Sequence, residues 1–172
     1  MATQSHAAAK TDWLRFILLA VAVVAVDQAI KLWLIYVFDM PARGVVEITG
    51  FFNLVMVWNV GVGFGLFKQD AQTGKYLLIA FSLAMSVGLT IWYGRLQGAQ
   101  PLIRWALPLA VGGAIGNVID RVHFGAVADF FDFHAFGWHF WAFNVADSAI
   151  VIGMCLILVD GLFDTAEQGK SG

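Results

Sequence analysis

Two aspartates stand at the outer ends of apolar segments. They are Asp129 in Gly125-Ala126-Val127-Ala128-Asp129-Phe130 and Asp147 in Phe143-Asn144-Val145-Ala146-Asp147-Ser148. A carboxylate beside hydrocarbon is expensive to keep, so an ionisable group there points to function. Carried on neighbouring helices, the two would form an acid/base pair that shares one proton. Carboxylates about 3 Å apart cannot both ionise, so one pKa rises and the other falls. Each apparent value then belongs to the pair. The ionised member can take a proton from water, which attacks an amide carbon. The protonated member can polarise the carbonyl and later protonate the leaving nitrogen. Such hydrolysis needs no nucleophilic side chain, no metal and no other cofactor, and none is expected.

Other polar residues interrupt the apolar runs. Asp27 and Lys31 are four apart, so they share a helix face and can neutralise each other. Inside a membrane such a pair must face the protein interior, where it fixes helix packing and can also shape a site. Further along runs Gly112-Gly113-Ala114-Ile115-Gly116-Asn117-Val118-Ile119-Asp120-Arg121. Gly112 and Gly116 have the small-xxx-small spacing that lets another helix approach closely. Asp120 and Arg121 are adjacent and cannot face each other along a helix, so each is expected to pair with another element. Asn144 can cap the last helix, with Asp147 in its first turn, where the macrodipole favours negative charge. In a soluble helix that cap would explain both residues; here Asp129 and Asp120 supply further acid at the same membrane depth.

Four apolar runs must position these groups, at about 13–38, 76–93, 102–122 and 141–163. Each is near the roughly 20 residues needed to cross a bilayer, and helices are the spanning form that satisfies the backbone. The stretch 51–67 is apolar too, but it holds Asn53, Asn59 and three glycines, and valines nearby favour extended structure. Residues 39–75 therefore read as an extramembrane, strand-containing lobe, with a fifth span as the alternative. The fold expected is an all-α integral membrane protein, four transmembrane helices with a small extracytoplasmic β-rich lobe on the membrane surface, residues 1–172 forming one membrane-embedded domain. The first run continues past the small residues Ala20-Val21-Ala22 to Asp27 and Lys31, so it reads as a retained span and not a cleaved leader. Lys10, Arg15, Arg95, Arg104 and Lys170 put both termini and the second loop in the cytoplasm. Residues 39–75 and 123–140 then face the other side.

Composition agrees. The 172 residues are 60% hydrophobic and 13% charged, with mean hydropathy +0.77, far from a soluble domain. A net charge of -2 argues against nucleic-acid binding. The single cysteine, Cys155, lies in an apolar run and forms no intrachain disulfide. No fixed-period repeat is visible, and the polar tail from about Asp164 is short.

Five motifs in order carry a resemblance to the bacterial lipoprotein signal peptidases, or signal peptidases II, over most of the length. They are Asp27-Gln28-x-x-Lys31; Asn59-x-Gly61 followed by Phe64; Gly112-Gly113-Ala114-Ile115-Gly116-Asn117-x-x-Asp120-Arg121; Val127-x-Asp129-Phe130; and Phe143-Asn144-x-Ala146-Asp147. The resemblance implies a four-helix aspartyl endopeptidase of the bacterial inner membrane, its site toward the extracytoplasmic side. It would cut prolipoproteins on the amino side of a diacylglyceryl-modified cysteine, and its partners would be those precursors and membrane phospholipids. It would act as a monomer. The dyad falls on Asp129 and Asp147. Asp27, Lys31, Asn59, Gly61, Gly116, Asn117, Arg121, Asn144 and Ala146 carry over around the site, with Asp120 as support. A loop near the Asn59 motif would cover it. This chain departs from the family at Val62-Gly63, where two alanines are usual, at Trp141 in place of a proline, and at Val60 in place of threonine. Those changes bear on loop shape and substrate fit more than on chemistry.

Rival classes use the same residues differently. A small transporter or proton relay would also need intramembrane acids, but it usually shows paired repeats or broken helices. A metal hydrolase would draw on His123, His134 and His139, without a His-Glu-x-x-His helix, and histidines at an aqueous interface are more often solvated. A Ser/Lys protease would need Ser148 near Lys31, yet Asp27 already offers that lysine a partner. A purely structural membrane protein would tolerate Asp→Asn at both dyad positions.

Overall fold

The computed structural model describes residues 2–61, 71–96 and 100–168. Val62, Gly63, Phe64, Lys68 and Lys170, and with them the loop expected to cover the site, lie outside the described residues.

Helix α1 (Ala2–Leu32) continues into a π-helical turn, Trp33–Val37, and is followed by the short α2 (Met40–Arg43). Strands β1 (Val45–Thr49) and β2 (Phe52–Asn59) come next, then α3 (Ala71–Arg95) and α4 (Pro101–His123). The chain closes with β3 (Val127–Ala135), β4 (Trp138–His139) and α5 (Val145–Gln168). Among the described residues, four helical stretches are long and apolar enough to cross a membrane: Asp12–Val37, Gln72–Arg95, Pro101–His123 and Val145–Phe163.

Helix α4 is the hub. It packs against α1, α3 and α5, and most of it is buried, while the other three spans present largely apolar outer faces. Missing side chains make that position reachable. A Cβ on Gly112 would lie 2.7 Å from the carbonyl oxygen of Ala20, and one on Gly116 only 2.9 Å from Asp27 Oδ2. Gly153 of α5 repeats the device against α4, where a Cβ would meet the Ala106 carbonyl at 2.7 Å. Small residues let backbones approach where lipid supplies no hydrophobic drive.

The four strands form one antiparallel arrangement in the order β1-β2-β3-β4. Its inner face seats Phe130 against Leu34 and Met40, with Leu54, Met56 and Val145 packed around them. The sheet is thereby fixed to the end of α1 and the start of α5. Three expectations change. The lobe is not confined to 39–75, because β3 and β4 supply half of its strands. Asp129 stands on strand β3, not on a helix. The last helix starts at Val145 and not near Trp141, because Phe143 pairs with Phe131 across an extended segment.

Candidate active site

The dyad positions come together through one asparagine. Strand β3 carries Asp129, and the β2–β3 register aligns Val57 with Asp129 and Asn59 with Val127. Asn59 Nδ2 donates to Asp129 Oδ2 at 2.9 Å, and Asn144 Nδ2 donates to Asp129 Oδ1 at 2.6 Å. Asn144 also begins α5, in a reciprocal cap. The Asp147 N–H donates to Asn144 Oδ1 at 2.9 Å, and the Asn144 N–H approaches Asp147 Oδ2 at 3.4 Å. The other oxygen of Asp147 accepts from Asn117 Nδ2 at 2.7 Å. The helix-cap and active-site readings of Asn144 and Asp147 are therefore both satisfied by one geometry.

Beneath the pair lies a buried charge cluster. Lys31 Nζ sits 2.7 Å from Asp27 Oδ2 and 2.7 Å from Asp120 Oδ2, and all three side chains are fully buried. Each carboxylate also takes a backbone N–H from the residue just before a dyad member. Asp27 Oδ1 accepts from Ala146 at 2.9 Å, and Asp120 Oδ2 accepts from Ala128 at 3.2 Å. One ammonium thus ties together the two acids that hold the backbone at Ala146-Asp147 and Ala128-Asp129. Buried charges persist only when paired and hydrogen-bonded in this way.

Gly116 leaves room for Asp27, and the Ala146 Cβ fits 3.3 Å from where a Gly116 Cβ would stand. Arg121 is half-buried within the field of Asp147, Asp120 and Asp129. Its Nη1 donates to the Asn117 carbonyl at 3.3 Å, one turn back on its own helix, while its buried Nε has no hydrogen-bond partner. Asp120 pairs with other elements as expected; the hydrogen bond of Arg121 stays on its own helix. Gly61 adopts φ +77°, a conformation that favours glycine, and its N–H donates to Asn59 Oδ1 at 2.8 Å, orienting that amide toward Asp129.

Burial pushes the Asp129 carboxyl up to about 6, and the charge of Asp147 adds to the rise. The amides of Asn59 and Asn144 and the ammonium of Lys31 act in the opposite direction. Asp147 is only half-buried and Asn59 is exposed, so the pair opens to the outside on the Asp147 side, while Asp129 is buried. A groove of about 550 Å³, lined by Val57, Trp58, Asn59, Val60, Gly61 and Trp141, adjoins it.

The rival arrangements fare differently. Lys31 is committed to two carboxylates, and Ser148 Oγ donates to the Asn144 carbonyl at 3.0 Å. His123 is exposed, as expected of an interfacial histidine, but His134 and His139 are not simply solvated. His139 Nδ1 lies 2.9 Å from Asp132 Oδ2, its ring stacks on His134, and His134 Nε2 is buried without a partner. Sequence reasoning missed Gln28 as a site-supporting residue. Its Nε2 donates to Asp120 Oδ1 at 2.8 Å and approaches Asp27 Oδ2 at 3.1 Å. An amide beside Asp27 in an apolar run was the available signal. The Asn53–Asp132–His139 set also went unread, because Asn53 reaches Asp132 only through the non-local pairing of β2 with β3, and His139 joins them through the β3–β4 hairpin.

Comparison with known proteins gives one answer. Residues 19–163 match the family described as Signal peptidase (SPase) II. A lipoprotein signal peptidase of Rhodopseudomonas palustris (strain TIE-1) is 45% identical over 152 residues, covering 85% of this chain and 90% of that protein. Another, from Methylorubrum extorquens (strain PA1), is 45% identical over 141 residues, covering 82% and 81%. A bacterial membrane enzyme solved at 2.3 Å superposes with TM-score 0.76 at 30% identity, covering 89% of this chain and 90% of that one. A second, solved at 1.9 Å, superposes at 0.73 with 29% identity. Both the sequence match and the shared four-helix fold span nearly the whole of the chain's membrane-embedded part, and the chain belongs to the signal peptidase II family.

Proposed function

We propose that this protein is an intramembrane aspartyl endopeptidase that removes signal peptides from diacylglyceryl-modified prolipoproteins. The observation that carries the reading is the bridging of Asp129 and Asp147 by Asn144, with Asn59 and Asn117 completing the donors to each carboxylate. Water held between the two acids would attack the scissile carbonyl on the amino side of the lipidated cysteine. Asp129, the more deeply buried, with its carboxyl pushed up to about 6 by burial, carries the resting proton and donates it to that carbonyl. Asp147 takes the proton from water. As the tetrahedral intermediate collapses, Asp147 passes the proton it took from water to the leaving nitrogen and the hydroxyl proton returns to Asp129, which restores the resting pair, and no metal takes part.

Asp27, Lys31 and Asp120 act as positioning residues through the backbone N–H groups of Ala146 and Ala128. Gln28 and Gly116 keep that cluster in place, Gly61 orients Asn59, and Arg121 offers a cation to the peptide backbone of the substrate. The lipid chains of the substrate stay in the bilayer while its peptide reaches the groove beside Trp58 and Trp141. Two acyl chains bury apolar area worth roughly 0.8 kcal/mol per methylene, and that binding positions the scissile amide at the dyad. The chain sits in the inner membrane with both termini cytoplasmic and the dyad toward the extracytoplasmic side, working as a monomer and a single membrane-embedded domain.

The test is cleavage of one precursor in lipidated and unlipidated form by the purified protein in detergent. Turnover of the lipidated form alone supports the reading; equally efficient turnover of the bare precursor removes the role given to the lipid. Absence of cleavage in either form would return the transport reading.

A further inference from the structure

The end of the helix bundle opposite the dyad holds a second group of charges around a cavity. Helix α1 carries Asp12 and Arg15 there, α3 ends at Arg95, and α4 begins at Pro101 with Arg104 in its first turn. Arg15 and Lys31 are 16 residues apart on α1, about 24 Å at 1.5 Å per residue, so this end lies a bilayer leaflet or more from the site.

The charges are unevenly satisfied. Arg104 Nη1 donates to Asp12 Oδ2 at 3.0 Å, and the Tyr93 hydroxyl donates to the Asp12 carbonyl at 2.8 Å. Arg15 approaches the same carboxylate only to 4.0 Å, beyond hydrogen-bond range, and its side chain is 76% exposed against 26% for Arg104. Between them opens a cavity of about 480 Å³, bounded by Asp12, Arg15, Leu19, Tyr93, Arg104 and Trp105. Two guanidiniums therefore face one space and share a single carboxylate. The positive end of the α4 macrodipole points the same way. Asp160 of α5 ends its span on this side but does not line the cavity.

Its surroundings are those of a membrane interface. Trp105 is exposed at the rim, Trp13 is exposed beside it with its ring on Tyr93, and Leu14, Ile17 and Leu18 continue the apolar outer face of α1. Tryptophan and tyrosine gather where a bilayer meets water. Guanidiniums bind phosphate through paired N–H groups, and basic pockets between spans hold anionic head groups.

We propose that this cavity binds the head group of an anionic phospholipid of the adjacent leaflet. Arg15 and Arg104 grip the phosphate oxygens, and the acyl chains lie along Leu14 and Leu18 of α1. Asp12 holds Arg104 in place and competes with the phosphate for it. The site is independent of the peptidase reading, since it rests only on the spans and on residues far from the dyad.

The experiment is native mass spectrometry of the full-length protein in detergent. The protein is titrated with phosphatidylglycerol and, separately, with phosphatidylcholine of the same chains. Phosphatidylglycerol binds more tightly, Arg15→Gln and Arg104→Gln each weaken it by about tenfold, the loss of one charge-assisted hydrogen bond, and Asp12→Asn strengthens it. Excess inorganic phosphate alone gives no comparable binding. Equal affinity for the two lipids, or unchanged phosphatidylglycerol binding in Arg15→Gln, overturns the proposal. Inorganic phosphate binding as tightly as the lipid overturns the lipid assignment. Arg15 is exposed, so Arg15→Gln decides the matter even where Arg104→Gln fails to fold.

Discussion

Asp129→Asn makes a prediction whose sign runs against the usual effect of deleting a site residue. The Asp129 carboxyl titrates near about 6 in the folded protein and near 3.8 when unfolded. As pH rises through that window the unfolded chain gives up its proton first, so the folded state binds more protons and stability falls. The loss is complete above the folded value and absent below the unfolded one. A difference of about 2 pKa units, at 1.36 kcal/mol per unit, amounts to about 3 kcal/mol. For a chain of this size that is on the order of 6–12 °C in Tm. Asparagine does not titrate, so Asp129→Asn escapes the loss. It does leave one amide N–H facing the donors of Asn59 or Asn144, a penalty that does not vary with pH. Thermal melts followed by the fluorescence of the seven tryptophans, from about pH 4 to about pH 8, read the difference directly. The variant gains on wild type as pH rises from about 4 to 6, and the gap then stays constant. Parallel curves across the whole range would refute the reasoning, because the acid would then be no less comfortable ionised than in water.

Further predictions follow from the same geometry. The alkaline limb of kcat/KM, which reports the free enzyme, falls near pH about 6, and a pH series on the lipidated precursor checks it. Asn59 holds the charged form of Asp129, so Asn59→Ala raises that pKa and moves the limb to higher pH; a limb moving lower would contradict the assignment. Lys31→Met leaves Asp27 and Asp120 buried without their cation, a loss of roughly 3–5 kcal/mol, visible as a collapse of folded yield in size-exclusion chromatography. Gly116→Ala drives a methyl to 2.9 Å from Asp27 Oδ2. It costs about 1–3 kcal/mol by overpacking and lowers both Tm and activity, whereas the same change at Gly88, where nothing lies within 4 Å, leaves both unchanged.

Much of this arrangement was legible in the residues because bilayers enforce simple rules. Apolar runs of span length became helices, and charges stranded inside them became the cluster of Asp27, Lys31 and Asp120. The four-residue spacing of Asp27 and Lys31 was enough to foresee their contact, and the glycines of α4 marked the close approach to α1. What stayed hidden depends on pairing between distant segments. Trp141 to Asn144 reads as the start of a span, since hydrophobicity does not distinguish a helix from an extended segment. It is extended because Phe143 pairs with Phe131. Asp129 reads as helical for the same reason, although its strand partners lie seventy residues away in β2. The role of Gln28 is not legible from its neighbours, because its partner Asp120 lies 92 residues further on. His139 and Asp132 needed the β3–β4 turn to meet.

The central claim is that Asp129 and Asp147 together hydrolyse the peptide without a metal. The most direct measurement is cleavage of a lipidated prolipoprotein by purified wild type, Asp129→Asn, Asp147→Asn and Asp120→Asn, with chelator present and the fold of each variant verified. The account predicts that wild type ignores the chelator and that each dyad variant falls by at least about a hundredfold. Asp120→Asn alters a carboxylate that meets Lys31, Gln28 and the Ala128 backbone and neither dyad side chain, and it retains measurable turnover. Near-wild-type cleavage by either dyad variant, or loss of wild-type activity in chelator, would contradict it.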